Sequence, residues 1–144
     1  MAANDEGLAL VLQASIEHAE ELLEEQGGFL PFGARARMDG EIEFLETIGN
    51  DAGEPLETLY RRIGTMLSED AKEHRILAAA LIANASLPEG IEPMFDTAVS
   101  VLVEAPDFCR SIVVPYRIAG NGGRARIEFG KMIPEEAEPV VFAG

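Results

Sequence analysis

The side chains best suited to chemistry in this sequence are His18, His74 and Cys109. A zinc-type site needs several such ligands at defined spacing, and each of these three falls on a different predicted element, so no metal site is expected. Nucleophilic catalysis asks for a serine or cysteine at a sharp turn, with a histidine base oriented by a carboxylate. Nothing in the chain matches that pattern. His18 lies among glutamates on the polar side of a predicted helix, and His74 ends another, where a cation suits the helix dipole; both read as surface histidines. Cys109 reads as a small apolar residue within a strand. The acids around Asp39, Asp51 and Glu54 lack a calcium-loop spacing. Gly120-Asn121-Gly122-Gly123, followed by Arg124 and Arg126, has neither a Walker pattern nor a strand-to-helix setting, and reads as a hairpin turn. Asn84-Ala85-Ser86 fits a glycosylation acceptor only in an exported chain. No catalytic or cofactor-binding residues are assigned, and an enzyme is the least favoured class.

Three features suit recognition better. Phe29-Leu30-Pro31-Phe32-Gly33 places a proline and a glycine in a predicted first strand, which suggests an edge or bulged strand whose backbone can be approached closely. Pro115-Tyr116-Arg117 places another proline in a later strand. Both stretches suit the border of a groove where a peptide or second subunit pairs with exposed backbone. The third feature is the acidic face of the first helix, Glu17, Glu20, Glu21, Glu24 and Glu25, which reads as a solvated face or as a docking face for a basic partner.

These residues need elements to position them. From Asp5 to Gln26 apolar residues recur at spacings of three and four, the mark of one apolar helical stripe. Asn4 or Asp5 can cap its start, and Gly27-Gly28 can stop it. Alternation then replaces helical periodicity: Leu30, Phe32, Ala34, Ala36 and Met38 face one way and Pro31, Gly33, Arg35 and Arg37 the other. It resumes after Asp39-Gly40 with Ile42 and Phe44 against Glu41 and Glu43. Asp-Gly between two such runs predicts a hairpin, with Arg35 and Arg37 across from Glu41 and Glu43 on an exposed face. Thr47 to Glu54 reads as a loop. Pro55 opens a second helix that runs to about His74 and buries Leu56, Leu59, Tyr60, Ile63, Met66 and Leu67. The remainder reads as strands over Arg75 to Ser86, Ala98 to Glu104, Phe108 to Ile118, Arg124 to Met132 and a short Pro139 to Phe142. Turns at Pro88-Glu89-Gly90, Pro106-Asp107 and Gly120 to Gly123 separate them.

The expected architecture is a single α+β domain over residues 1–144, in the order α-β-β-α-β-β-β with an extra edge strand possible in the sheet. Five or six mostly antiparallel strands would carry both helices on one face. A chain of 144 residues with 47% hydrophobic and 26% charged side chains is long and apolar enough to bury a core. The net charge of -15 sits mostly in the first half: residues 1–60 carry 14 acidic and 2 basic side chains. Such a field repels phosphate backbones and anionic bilayers, so neither nucleic acid nor membrane is an expected partner. The start, MAANDEG, is acidic where a secretory signal is basic, and the longest apolar run, Ile76 to Ala83, is too short to span a bilayer. With one cysteine, these features suit a reducing cytoplasm.

FLPFGARA followed by the DGEIEF hairpin, then VVPYRI and RIEFG, resembles a group of small bacterial proteins sharing a helix, an FxPFGA-type hairpin, a second helix and a PYR-containing strand pair. That resemblance brings no activity and no site residues. The element order is also similar to profilin-like and roadblock-like domains, which implies binding or dimerisation by fold analogy alone. Two expectations follow. The first is a cytoplasmic binding or dimerisation module using a sheet edge or an apolar helix face. The second is an acidic neutraliser, of the immunity or antitoxin kind, for a basic protein.

Overall fold

The structure, a computed structural model, describes residues 2–46, 55–87, 95–106, 108–119 and 126–142, with side chains from residue 7 onward. The elements are α1 (Ala2–Gln26), β1 (Phe32–Arg37), β2 (Ile42–Glu46), α2 (Leu56–Lys72), β3 (Ile76–Ser86), β4 (Thr97–Ala105), β5 (Phe108–Ala119), β6 (Arg126–Phe129) and β7 (Ile133–Glu136). The fold is α+β, with two helices and an antiparallel sheet in the expected element order. The expected loop at 47–54, the turns at 88–90 and 120–123, Arg124, Asp107 and the side chains of Asn4 and Asp5 lie outside the described residues.

The apolar stripe of α1 buries Val11, Ser15, Ala19 and Leu23, and the Ser15 hydroxyl donates to the Val11 carbonyl at 2.6 Å, so no buried polar atom is stranded. Gly27 ends the helix at φ 75, as its position suggested. The β1–β2 hairpin turns through Met38, Asp39 and Gly40. Arg37 N–H donates to Glu41 O at 2.8 Å, Gly40 N–H donates to Arg37 O at 2.9 Å, and Gly40 takes φ 90, the left-handed position of a three-residue hairpin loop. At the end of α2 the left-handed residue is His74, at φ 57. Its N–H donates to Ala71 O, and Arg75 N–H to Asp70 O, which closes a Schellman-type stop without glycine.

The sheet runs β2-β1-β3-β4-β5-β6, and β7 pairs with β5 on the same side as β6. Both helices were expected on one face, and they lie instead on opposite faces. Ala34, Ala36, Ala78, Ala80, Ile82, Val99, Val101 and Val103 form one core with α1, while Ala79, Leu81 and Leu102 form the other with Ile63 and Leu67 of α2. Alternate residues of a strand face opposite ways, so β3, apolar at nearly every position, serves both layers. A continuous apolar run in place of strict alternation is what two covered faces require.

Three local readings also change. Pro31 precedes β1, so the proline costs the ladder nothing, and β1 is an interior strand paired with β2 and β3 and not an edge; its irregularity is a register shift at Ala36/Arg37. The expected strand at Pro139 to Phe142 is replaced by β7 at Ile133–Glu136, earlier in the chain, because the amides at 140–142 are held by a side chain instead of a ladder. Pro115 sits inside β5 at the seam between β7, which pairs residues 110–113, and β6, which pairs 116–119. Its carbonyl accepts Gly130 N–H at 2.7 Å, so its nitrogen also faces that seam, where no ladder hydrogen is required.

Candidate functional site

Three groupings of chemically capable side chains emerge. The first lies on the α2 face. Glu104 is fully buried, and its carboxylate accepts Val140 N–H at 2.9 Å, Val141 N–H at 3.0 Å and Phe142 N–H at 3.0 Å. Charge-assisted bonds to successive amides are strong, and they pin the C-terminal segment over Leu81 and Leu102. Burial, then the neighbouring Glu104 and Cys109, pushes the Tyr60 hydroxyl up; burial, then Glu104 and Glu138, pushes the Cys109 thiol up to about 11. Both shifts work against a nucleophile at neutral pH. Alkylation of Cys109 at pH 8 is accordingly expected to run about 100-fold slower in the folded chain than in the urea-unfolded one, following the thiolate populations. Equal iodoacetamide rates in the two states would show a thiol that the fold does not suppress.

The second grouping is a charged cleft of about 530 Å³ at the other end of α2. Arg35 donates to Glu43 at 2.8 Å and to Asp70 of α2 at 2.5 Å, and Arg37 reaches Glu43 at 3.3 Å. The hydrogen bond from Arg35 holds the Glu43 carboxyl below the usual carboxylate range. The cross-strand pairing of Arg35 with Glu43 follows the sequence pattern, and Arg37 and Glu41 are exposed as expected, while Arg35 is half-buried where Asp70 of α2 reaches it. Each of these arginines is consumed by carboxylates of its own chain, so the cleft presents a compensated surface and not an anion site.

The third grouping is the open edge at β2. His18 was expected on a solvated face, yet its ring stacks on Phe44 at 4.2 Å and 14°, meets Phe32 edge-on at 5.0 Å and is hydrogen-bonded to Glu46. His18 flanks the buried stripe, three residues after Ser15 and next to Ala19, and turns toward β2, which the glutamate-rich context concealed. Phe29 extends the aromatic group through Phe32 at 5.6 Å. Phe44 itself is 37% exposed.

The backbone of β2 is equally informative. The Arg37-to-Glu41 bond directs Glu41 toward β1, and strict alternation then directs Glu43 and Leu45 the same way and Ile42, Phe44 and Glu46 outward. Among the described residues no strand pairs with that outer side. The other edge of the sheet is split between two short strands, β6 and β7, and β7 carries Pro134, both of which blunt an edge.

The residues singled out for partner binding separate accordingly. Phe29 and Pro31 do border clefts, one of about 140 Å³ with Leu22, Gln26 and Glu46, the other of about 240 Å³ with Leu56, Tyr60 and Ala83. Phe32 is buried at 1% exposure, and Gly33 is approached by Ile63 and Leu67 of α2, so the partner of that backbone is the chain's own helix. Pro115 and Tyr116 are inside the fold, with the Tyr116 hydroxyl donating to Asn84 at 2.7 Å. Arg117 is paired with Glu128 at 2.6 Å and lies over the Phe95 ring. Pro115 and Tyr116 thus serve the fold, while Arg117 is exposed at the surface. Glu17, Glu21, Glu24 and Glu25 are exposed, and Glu20 is half-buried, its carboxyl pushed up by burial and then by Glu24, Glu17 and Glu21. None of these five glutamates forms an ion pair with a described residue. Sequence reasoning missed His18, Phe44 and Glu46 as a unit; the signal available was only that Phe44 lay on the second strand of a hairpin.

Among the described residues no group of three or more His, Cys, Asp and Glu is placed to hold a metal, and no helix is long and apolar enough to cross a membrane. No family model matches the chain, and neither a curated protein nor a solved structure does.

Proposed function

We propose that the chain is a non-catalytic binding module of the cytoplasm that docks a protein along the outer edge of β2, by strand addition. The observation that carries this reading is the coincidence at one place of outward backbone groups on Ile42, Phe44 and Glu46 with an exposed aromatic side chain. Main-chain pairing supplies affinity in such complexes, and alternate side chains supply selectivity. The polar groups drawn into the fold support the same reading, since buried Glu104 and Tyr116 and half-buried Arg35 are each committed to partners of their own chain.

A second reading, an acidic neutraliser of a basic protein, draws on the glutamate ridge of α1, whose uncompensated charge would steer a cationic partner. One experiment separates them. A dilute nitrogen-15-labelled chain is titrated with unlabelled host extract or with unlabelled copies of itself. Edge binding predicts selective shifts or broadening of the Ile42, Phe44 and Glu46 amides that persist at high salt. Changes confined to Glu17 through Glu25 and abolished by salt would favour the ridge instead. A spectrum unchanged by either titrant would sink both.

A further inference from the structure

We infer that the strand added to β2 is the β2 of a second copy, in a two-fold antiparallel pairing centred on Phe44. This rests on the edge-binding reading above and names its partner. In an antiparallel pair, opposed residues share a face of the sheet, so a two-fold register must be centred on a residue of β2. With the axis at Phe44, every outward group finds a partner: Phe44 meets Phe44 of the second copy, Ile42 meets Glu46 of the second copy, and Glu46 meets its Ile42. The inward residues alternate well too, with Glu43 opposite Leu45. No carboxylate faces another.

The competing registers are poorer. An axis at Glu43 sets Glu43 against itself at a non-hydrogen-bonded position, where side chains lie closest, and leaves Glu46 opposite Gly40 in the hairpin turn. An axis at Leu45 carries Ile42 beyond the far end of the opposing strand. The Phe44 register also suits the carboxylates of the strand, each of which already has a partner within its own chain: Glu43 pairs with Arg35 and Arg37, and Glu46 is hydrogen-bonded to His18. Two His18–Phe44 stacks then meet at the axis, covering a side chain that is 37% exposed in the single chain. Because the symmetric pairing consumes the β2 edge of both copies, it closes at two and does not propagate.

Sedimentation equilibrium on the full chain tests this directly. The wild type is expected as a dimer that tightens as salt rises, because salt screens repulsion between two chains of charge -15. A residue on a two-fold axis faces itself, so Phe44→Lys and Phe44→Glu should each weaken the dimer by at least about 100-fold, while an equal mixture of the two variants should restore a heterodimer. Phe44→Cys gives an independent readout: hydrogen-bonded antiparallel partners lie about 5.5 Å apart at Cα, a separation that suits a disulfide. Mild oxidation should therefore link two copies, whereas Leu45→Cys should not. A monomeric wild type at high concentration overturns the pairing, as do variants that keep the wild-type mass or a mixture that stays monomeric. Host protein bound at the Ile42, Phe44 and Glu46 amides of a chain that remains monomeric overturns the self-pairing while leaving edge binding in place.

Discussion

Replacing Glu104 with leucine is expected to destabilise the fold by about 3–5 kcal/mol, measured by urea denaturation, a loss comparable to a large part of a small domain's total stability. The side chain is fully buried, no basic group among the described residues pairs with it, and its partners are the backbone amides of Val140, Val141 and Phe142. Hydrogen bonds to a charged acceptor contribute about 1.5–3 kcal/mol each, but the total is capped by what it costs the C-terminal segment to detach and let water satisfy its amides. Leucine fills the space and strands those donors. Glu104→Gln discriminates packing from charge, since it keeps the volume and one acceptor oxygen but turns an NH₂ group toward the amides. It should cost about 2 kcal/mol, with hydrogen exchange at Val140 to Phe142 accelerated in both variants. Unchanged exchange there, or a loss below about 1 kcal/mol for leucine, would mean that the segment is held by Val141 and its apolar neighbours alone.

The second large effect is at Gly33. A Cβ added there would stand 2.6 Å from Ile63 Cγ2 and 3.2 Å from Leu67 Cδ1, both on α2. The first distance is far inside van der Waals contact, and Ile63 is itself buried at 3% exposure, so the helix must move or the isoleucine must leave its rotamer. Gly33→Ala is expected to cost about 2–3 kcal/mol. Ile63→Ala removes the opposing methyl and costs stability by leaving a cavity. Combined, the two should fall short of additivity by about 1–2 kcal/mol, because the new methyl occupies space that the isoleucine vacated. Strict additivity would place the cost of Gly33→Ala in the strand backbone and not in the approach of α2.

The exposed edge and the buried face differ in how they would respond to these changes. Glu104 and Gly33 belong to the α2 layer, whereas His18 and Phe44 belong to the α1 layer. The Glu104 variant is therefore expected to cost stability without disturbing the outward amides of β2, which do not depend on the C-terminal segment, whereas Gly33 pairs directly with Leu45 of β2 and its substitution reaches that strand.

Local pattern in the sequence determined a good deal of this protein. The stripe of α1 with its glycine stop, the Asp39-Gly40 hairpin with Arg35 opposite Glu43, the helix opened at Pro55 and the apolar strand after Ile76 all follow from periods and turn chemistry that act over a few residues. What tertiary structure alone decided involves partners far apart in the chain. Alternation along β3 shows that two faces exist but not which helix takes each, so the helices could be assigned to one side when they occupy two. Glu104 looks like any other acid until a segment some 36 residues later supplies its donors. The glycine of the FLPFG stretch could be read as an invitation to a partner's backbone, but the partner is α2. His18 could not be distinguished from its surface neighbours until β2 brought Phe44 beneath it. In each case burial and pairing are properties of the assembled layers, because they depend on which surfaces meet across the sheet, and no spacing within one element encodes that.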